Sequence, residues 1–208
     1  MKKKIAVIGA GSAGIQTVCH LLGYLNKDWE ITLIHDPKIN ILGIGESSNP
    51  PFINAIEVGT DFNMYDDLEA LDGTIKLGAI FKNWREHDFF NPLLAGQAAI
   101  HFNTHKLKEF AIPRLHKKWP DKFVELHGTC TKINDDGTKV TLFVNDEYLD
   151  YDYLVDCRGF PRTFEDLPGM PKGYNDYTII PNPTVNYSLT YNKPGATTDI
   201  VTGHIATP

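Results

Sequence analysis

The sequence is poor in the features that would place it in several common classes. Only three cysteines occur in 208 residues, Cys19, Cys130 and Cys157, far apart and without a C-x-x-C pair. A disulfide framework and a zinc knuckle are therefore not indicated, and a reducing, cytoplasmic setting fits best. No apolar run approaches the 18 or more residues that a membrane-spanning helix needs. Basic residues are neither in excess nor clustered. Lys and Arg number 20 against 26 Asp and Glu, a formal net charge of −6, which argues against nucleic acid as a main partner. What remains is an ordinary globular balance, 42% hydrophobic and 22% charged, of a length that suits one large domain or two small ones.

The first informative stretch is residues 4–15. An apolar run, 4–8, ends at Gly9-Ala10-Gly11-Ser12-Ala13-Gly14, and apolar positions then recur at helical spacing over 12–25. Met1-Lys2-Lys3-Lys4 ahead of an apolar stretch has the outline of a signal peptide, but glycines interrupt it. Residues 30–34 predict a second strand, which makes a βαβ unit with parallel neighbours. In that setting G-x-G-x-x-G has a mechanism. Gly9 allows the tight turn, Gly11 lets backbone approach a pyrophosphate, and Gly14 lets helix and strand pack closely, with the phosphate over the N–H groups of Ser12 and Ala13. An acid about 20 positions on should meet the ribose. Asp36 is 22 past Gly14, although His35 holds the position directly after the strand. Asp36 is equally a turn residue before Pro37.

Further along, 40–50 predicts an extended loop, 51–71 a weak helix, 74–84 a strand, 86–100 irregular chain, and 103–119 a helix kinked or split at Pro113. Residues 122–133 and 138–149 predict strands around a turn at 134–137, and 152–157 a short buried strand ending at Arg158-Gly159. Two more strands are expected near 184–191 and 199–205. Antiparallel strands interrupting the βαβ pattern favour FAD over NAD by fold analogy.

Four segments, taken in order, carry a resemblance. They are IAVIGAGSAGI at 5–15, GIGESSNP at 43–50, IKLGAIFKNW at 75–84 and LVDCRG at 154–159, with a softer match in HFNTH at 101–105. The second and third are similar to the G-[VI]-G-E-[AS]-T-x-P and F-K-x-x-I-x-F-x-N-W motifs of the flavin-dependent halogenases, the group that includes the tryptophan halogenases. The first and fourth are shared with many flavin monooxygenases. The resemblance implies an α/β, Rossmann-like FAD-binding fold of the flavin monooxygenase/halogenase type with an antiparallel β element. It implies FAD, used as FADH2 and supplied by a separate flavin reductase. It also implies that oxygen and a halide ion give hypohalous acid, which a lysine relays to a small, electron-rich aromatic substrate. By the motif match that lysine is Lys76, and the strap over the flavin is Gly43, Ile44, Gly45, Glu46 and Ser47. Gly9, Gly11, Ser12, Ala13, Gly14, Asp36, Asp156 and Gly159 complete the expected cofactor contacts. The family's W-x-W-x-I-P signature, and most of its substrate pocket, would lie past residue 208. The expectation is therefore one FAD-binding domain, 1–208, incomplete relative to the family.

From the residues alone, Lys76 would be a surface lysine with its stem on apolar surface. The apolar neighbours Ile75 and Leu77 suggest partial desolvation, which would favour the neutral amine, and Lys82 is expected to face solvent. Glu46 fits a flavin-side acceptor or a loop-shaping carboxylate equally. His35, Ser48, Asn49 and Arg158 depart from the family's pattern. His101 and His105, four apart, could share a helix face, but no third ligand stands at useful spacing and no metal is expected. Cys157 closes a buried strand and reads as an inert thiol. An ordinary FAD monooxygenase of the same fold, or a non-catalytic FAD-binding fragment, are the alternatives.

Overall fold

The structure, a computed structural model, describes residues 2–39, 47–83, 86–93, 97, 99–159, 185–189 and 203–207. Strand β1 (Lys3–Ile8), helix α1 (Ser12–Tyr24) and strand β2 (Trp29–His35) form the expected parallel βαβ unit, with Ile5 opposite Ile31 and Ile8 opposite Ile34. Strand β7 (Phe123–His127) joins the far side of β2, and β11 (Tyr153–Asp156) the far side of β1, giving the all-parallel order β11-β1-β2-β7. Both faces of this sheet are covered, so its central strands have apolar runs rather than alternation. Ala6, Val7, Ile31, Leu33 and Ile34 are all fully buried.

One face carries α1, α2 (Pro50–Thr60) and α3 (Thr104–Lys118), around a core that includes Val7, Leu22, Leu33, Ile56 and Leu115. The other face carries an antiparallel sheet of β8 (Cys130–Asp135), β9 (Val140–Val144) and β10 (Glu147–Tyr151), with Ala6, Ile8, Ile34 and Leu142 between the layers. Helices α1 and α2 cross closely because both present glycine. A Cβ on Gly59 would lie 2.4 Å from the Cys19 Cβ, and one on Gly23 would lie 2.1 Å from the Val58 Cγ1.

The connection from α3 to β7 closes the ends of both helices. Trp119 Nε1 donates to Gly59 O at 2.8 Å, Lys118 Nζ to Val58 O at 2.7 Å, and Lys122 Nζ to Leu22 O at 2.6 Å and Leu25 O at 2.5 Å. Cationic donors there satisfy carbonyls that have no intrahelical partner and sit favourably at the negative end of the helix dipole. Burial pushes the Lys122 ammonium below the usual lysine range.

Several expectations need correction. The single strand at 74–84 is two, β3 (Thr74–Lys76) and β4 (Gly78–Phe81), separated at Leu77. The supposedly irregular stretch supplies their partners, β6 (Ala99–His101) for β3 and β5 (Phe89–Pro92) for β4. Residues 122–133 divide between β7 in the parallel sheet and β8 in the antiparallel one, and 138–149 divides at Asn145-Asp146. Those two residues have φ of 50° and 66°, the signature of a primed hairpin turn. The helix at 51–71 stops at Thr60, where Asp61 adopts a left-handed cap, and only a 3-10 turn follows at Glu69–Leu71. Helix α3 runs continuously through Pro113. The tail strands are β12 (Val185–Leu189) and β13 (Gly203–Thr207), paired antiparallel.

Candidate functional site

All four parallel strands end at the same edge of the sheet, and the chain order reverses between β1 and β11. Crevices for dinucleotides form at such a switch point in open α/β sheets. Gly9 (φ 102°) occupies the turn there, and its N–H donates to Ile34 O at 2.8 Å. A Cβ on Gly9 would sit 2.7 Å from Cys157 O, and one on Gly14 would sit 1.8 Å from Gly9 O. A Cβ on Gly11 meets nothing within 4 Å. Gly11 is the N-cap of α1 and offers no side-chain cap to the first turn. The loop is thus closed where backbone packs on backbone and open where a pyrophosphate would approach, which fits a bound dinucleotide.

Asp36 follows β2. Its Oδ1 accepts from Lys38 N at 2.9 Å and its Oδ2 from Thr129 Oγ1 at 3.1 Å. Those two bonds hold its carboxyl below the usual range. A cleft of about 560 Å³ opens beside it, lined by Asp36, Lys38, His127, Gly128, Thr129 and Phe143. A second cleft of about 510 Å³, near Lys3, Tyr153 and the β8–β9 turn, is at the opposite edge of the sheet and is lined by none of the expected site residues.

At the end of β11, Arg158 grips Asp156, with Nε 2.9 Å from Oδ1 and Nη2 2.7 Å from Oδ2, while Nη1 reaches Cys130 O at 3.2 Å. Burial alone would raise the Asp156 carboxyl, but the guanidinium outweighs it and the net shift is downward. Arg158, a departure from the family's small residue, therefore holds that carboxylate and ties β11 to the antiparallel sheet. Gly159 follows with φ 87°.

Lys76, the last residue of β3, faces Ala99 on β6. Its Nζ donates to Ser47 Oγ at 2.9 Å and to Ser48 O at 3.1 Å. Ser47 bridges His101, and Ser48 exchanges bonds with Ile100, N to O at 2.9 Å and Ile100 N to Ser48 Oγ at 2.8 Å. The motif containing the lysine is thus joined to the end of the G-x-G-E-S-S motif across β6. Gly43, Ile44, Gly45 and Glu46 lie outside the described residues. Lys76 is half-buried, but not through its apolar neighbours. Strand alternation points Ile75 and Leu77 away from it, and they are 51% and 74% exposed. Lys82 is exposed, as expected. Asn49 serves α2, its side chain accepting from Phe52 N at 3.0 Å, and Pro50 and Pro51 fill the first turn of that helix, where no N–H is needed.

The sequence reading missed a cluster. The carboxylate of Glu125 accepts from His35 Nε2 at 2.8 Å, His127 Nε2 at 2.9 Å and His116 Nε2 at 2.9 Å. Burial acts to raise the Glu125 carboxyl, but the three imidazole bonds outweigh it and hold it at about 2. No local motif signals this group, because parallel pairing of β2 with β7 brings together residues 90 positions apart. His101 and His105, by contrast, fall on β6 and α3 and do not share a helix.

The three cysteines are free. Burial pushes the Cys19 thiol up to about 12 and raises Cys157 as well, as inert packed thiols require. Among the described residues, no helix is long and apolar enough to cross a membrane.

Comparison with known proteins points one way. The sequence model of the tryptophan halogenase family matches residues 4–134. A 7-chloro-L-tryptophan 6-halogenase (KtzR) of Kutzneria sp. (strain 744) is 28% identical over 90 residues, covering 42% of this chain and 17% of that protein. The tryptophan 6-halogenase SttH of Streptomyces toxytricini is 26% identical over 91 residues, covering 43% and 17%. Among solved structures, the tryptophan C-6 flavin-dependent halogenase of taromycin biosynthesis superposes with a TM-score of 0.63 at 18% identity, over 76% of this chain and 43% of that one. The similarity to that structure is one of fold. The chain spans less than half the length of each of these proteins.

Proposed function

Because the chain belongs to the tryptophan halogenase family, we propose that it is the cofactor-binding, lysine-bearing portion of an FAD-dependent halogenase acting on a small electron-rich aromatic substrate. The observation that carries this reading is the bond between Lys76 Nζ and Ser47 Oγ, which unites the two motifs most specific to the family. Reduced FAD, delivered by a separate flavin reductase, supplies the electrons with which oxygen and a halide ion yield hypohalous acid. Residues of this chain do the rest. Gly9, Gly11 and Gly14 shape the loop that receives the pyrophosphate, and the N–H groups of Ser12 and Ala13 face it at the start of α1. Asp36, kept ionised, offers a carboxylate to ribose hydroxyls at the end of β2, and Asp156 and Gly159 complete the crevice from β11. By the family resemblance, Gly43, Ile44, Gly45 and Glu46, with Ser47, would contribute contacts to the flavin. An ammonium has three donors, and Ser47 and Ser48 engage two of those of Lys76. The third holds hypohalous acid and directs it to the aromatic ring. Free thiols suit a reducing cytoplasm.

Replacing Lys76 by Ala tests this in the full-length protein with reductase, halide and an indole panel. Flavin affinity should stay within about threefold, while halogenated product falls by about 10²-fold or more, the scale on which positioned proton donors and preorganised charge act. Undiminished halogenation by that variant would refute the role of Lys76. Flavin binding with no halogenated product from the unaltered protein would make it a non-catalytic flavin-binding protein.

A further inference from the structure

We propose that His35, Glu125 and His127, with His116 as a fourth group, form a site for one divalent zinc-class cation at the ends of β2 and β7. The backbone sets the constellation. His35 and His127 are register partners in adjacent parallel strands, and Glu125 lies two residues before His127, so all three point to the helical face of the sheet. His116 reaches them from the last turn of α3.

The ligating atoms already converge. One atom from each of His35, Glu125 and His127 lies within 4.8 Å of the others, and both His Nε2 atoms are within 2.9 Å of the same Glu125 oxygen. His116 Nε2 stands 2.9 Å from the other oxygen. Tetrahedral zinc with bonds of about 2.0–2.2 Å needs ligand atoms roughly 3.3 Å apart, so closure asks for shifts on the order of 1 Å. Two imidazoles and a carboxylate, with a third imidazole in reach, form a donor set of the kind zinc prefers. On binding, each Nε2 would give up its bond to Glu125 and present its lone pair to the cation, with the ring proton carried on Nδ1.

Exposure is graded as a working site requires. The His35 and Glu125 side chains are 6% and 16% exposed and give a fixed base, whereas those of His127 and His116 are 61% and 48% exposed and leave a way in. The cation would join β2, β7 and α3. The site uses none of the residues assigned to the flavin or to Lys76, so it stands or falls independently of the halogenase reading.

The test is calorimetric titration of the chelator-treated full chain with Zn²⁺ at pH 7.5, alongside the absorption spectrum with Co²⁺. The expected result is one ion per chain, with a Kd of about 1 μM or tighter and a four-coordinate cobalt spectrum. His127→Gln, at the exposed rim where the fold is least affected, should weaken binding by about tenfold or more. Glu125→Gln should remove the cobalt spectrum. Zn²⁺ should raise the melting temperature of the unaltered chain, and at the same concentration raise that of His127→Gln by less. No saturable binding below about 100 μM would overturn the proposal. So would equal affinity in His127→Gln, which would assign the ion to other histidines and leave the cluster a hydrogen-bonded one.

Discussion

The parallel sheet and the short ladders that carry Lys76 solve opposite problems. In the first, the side chains of the two central strands are covered on both faces and the glycine loop is fixed by backbone lying on backbone, with Gly14 pressed onto Gly9 O. In the second, three- and four-residue strands pair two by two, and Ile75, Leu77, Ile80 and Phe90 are more than half exposed. The sheet is positioned by apolar burial, whereas the lysine is positioned by polar bonds to Ser47 and Ser48. Substitutions of similar size should therefore differ greatly between the two regions.

The largest expected effect is Gly14→Ala. A Cβ 1.8 Å from Gly9 O cannot be accommodated without moving the loop, so about 3 kcal/mol or more of stability and all flavin binding should go, as thermal unfolding and flavin absorbance would show. Gly11→Ala sharpens the point, since its Cβ meets nothing within 4 Å. That protein should unfold within about 1 kcal/mol of the original yet bind flavin poorly. Next comes Gly59→Ala, where the new methyl strikes Cys19. Urea unfolding should register a loss of about 2–3 kcal/mol, and a thiol reagent at pH 8 should reach the otherwise buried Cys19 faster than in the unaltered chain. In the ladders, Ser48→Ala orphans the buried Ile100 N–H and should cost about 1–2 kcal/mol. Smallest of all, Leu77→Ser, at a side chain 74% exposed, should change stability by less than about 0.5 kcal/mol. A large loss there would mean that the ladders are held by apolar contact after all, and the contrast would fail.

The same contrast explains what could be read in advance. The βαβ unit and its glycines were legible because their constraints are local: an apolar run, a turn, a helical period. The split of 74–84 into β3 and β4 was not, because a single apolar run does not reveal that Gly78 packs against Asn91 of a strand in a stretch that looked irregular. The Asn145-Asp146 turn could have been found from its residue types. Resemblance named Lys76 and Ser47 separately but gave no sign of the bond between them, and the apolar neighbours expected to desolvate the lysine point away from it. The Glu125 cluster was invisible, since strand register alone brings its members together.

One edge of β1 is completed only by β11, with Ile5 opposite Tyr153. During synthesis the amino-terminal strand therefore leaves the ribosome well before its partner. At typical elongation rates of about 5–20 residues per second, the interval is roughly 7–30 s. The glycine loop lacks one wall for that time, because the Cys157 carbonyl over Gly9 has not yet been made. The nascent chain must shield an unpaired apolar strand edge while it waits, and the loop gains its last wall only after residue 157 has been made.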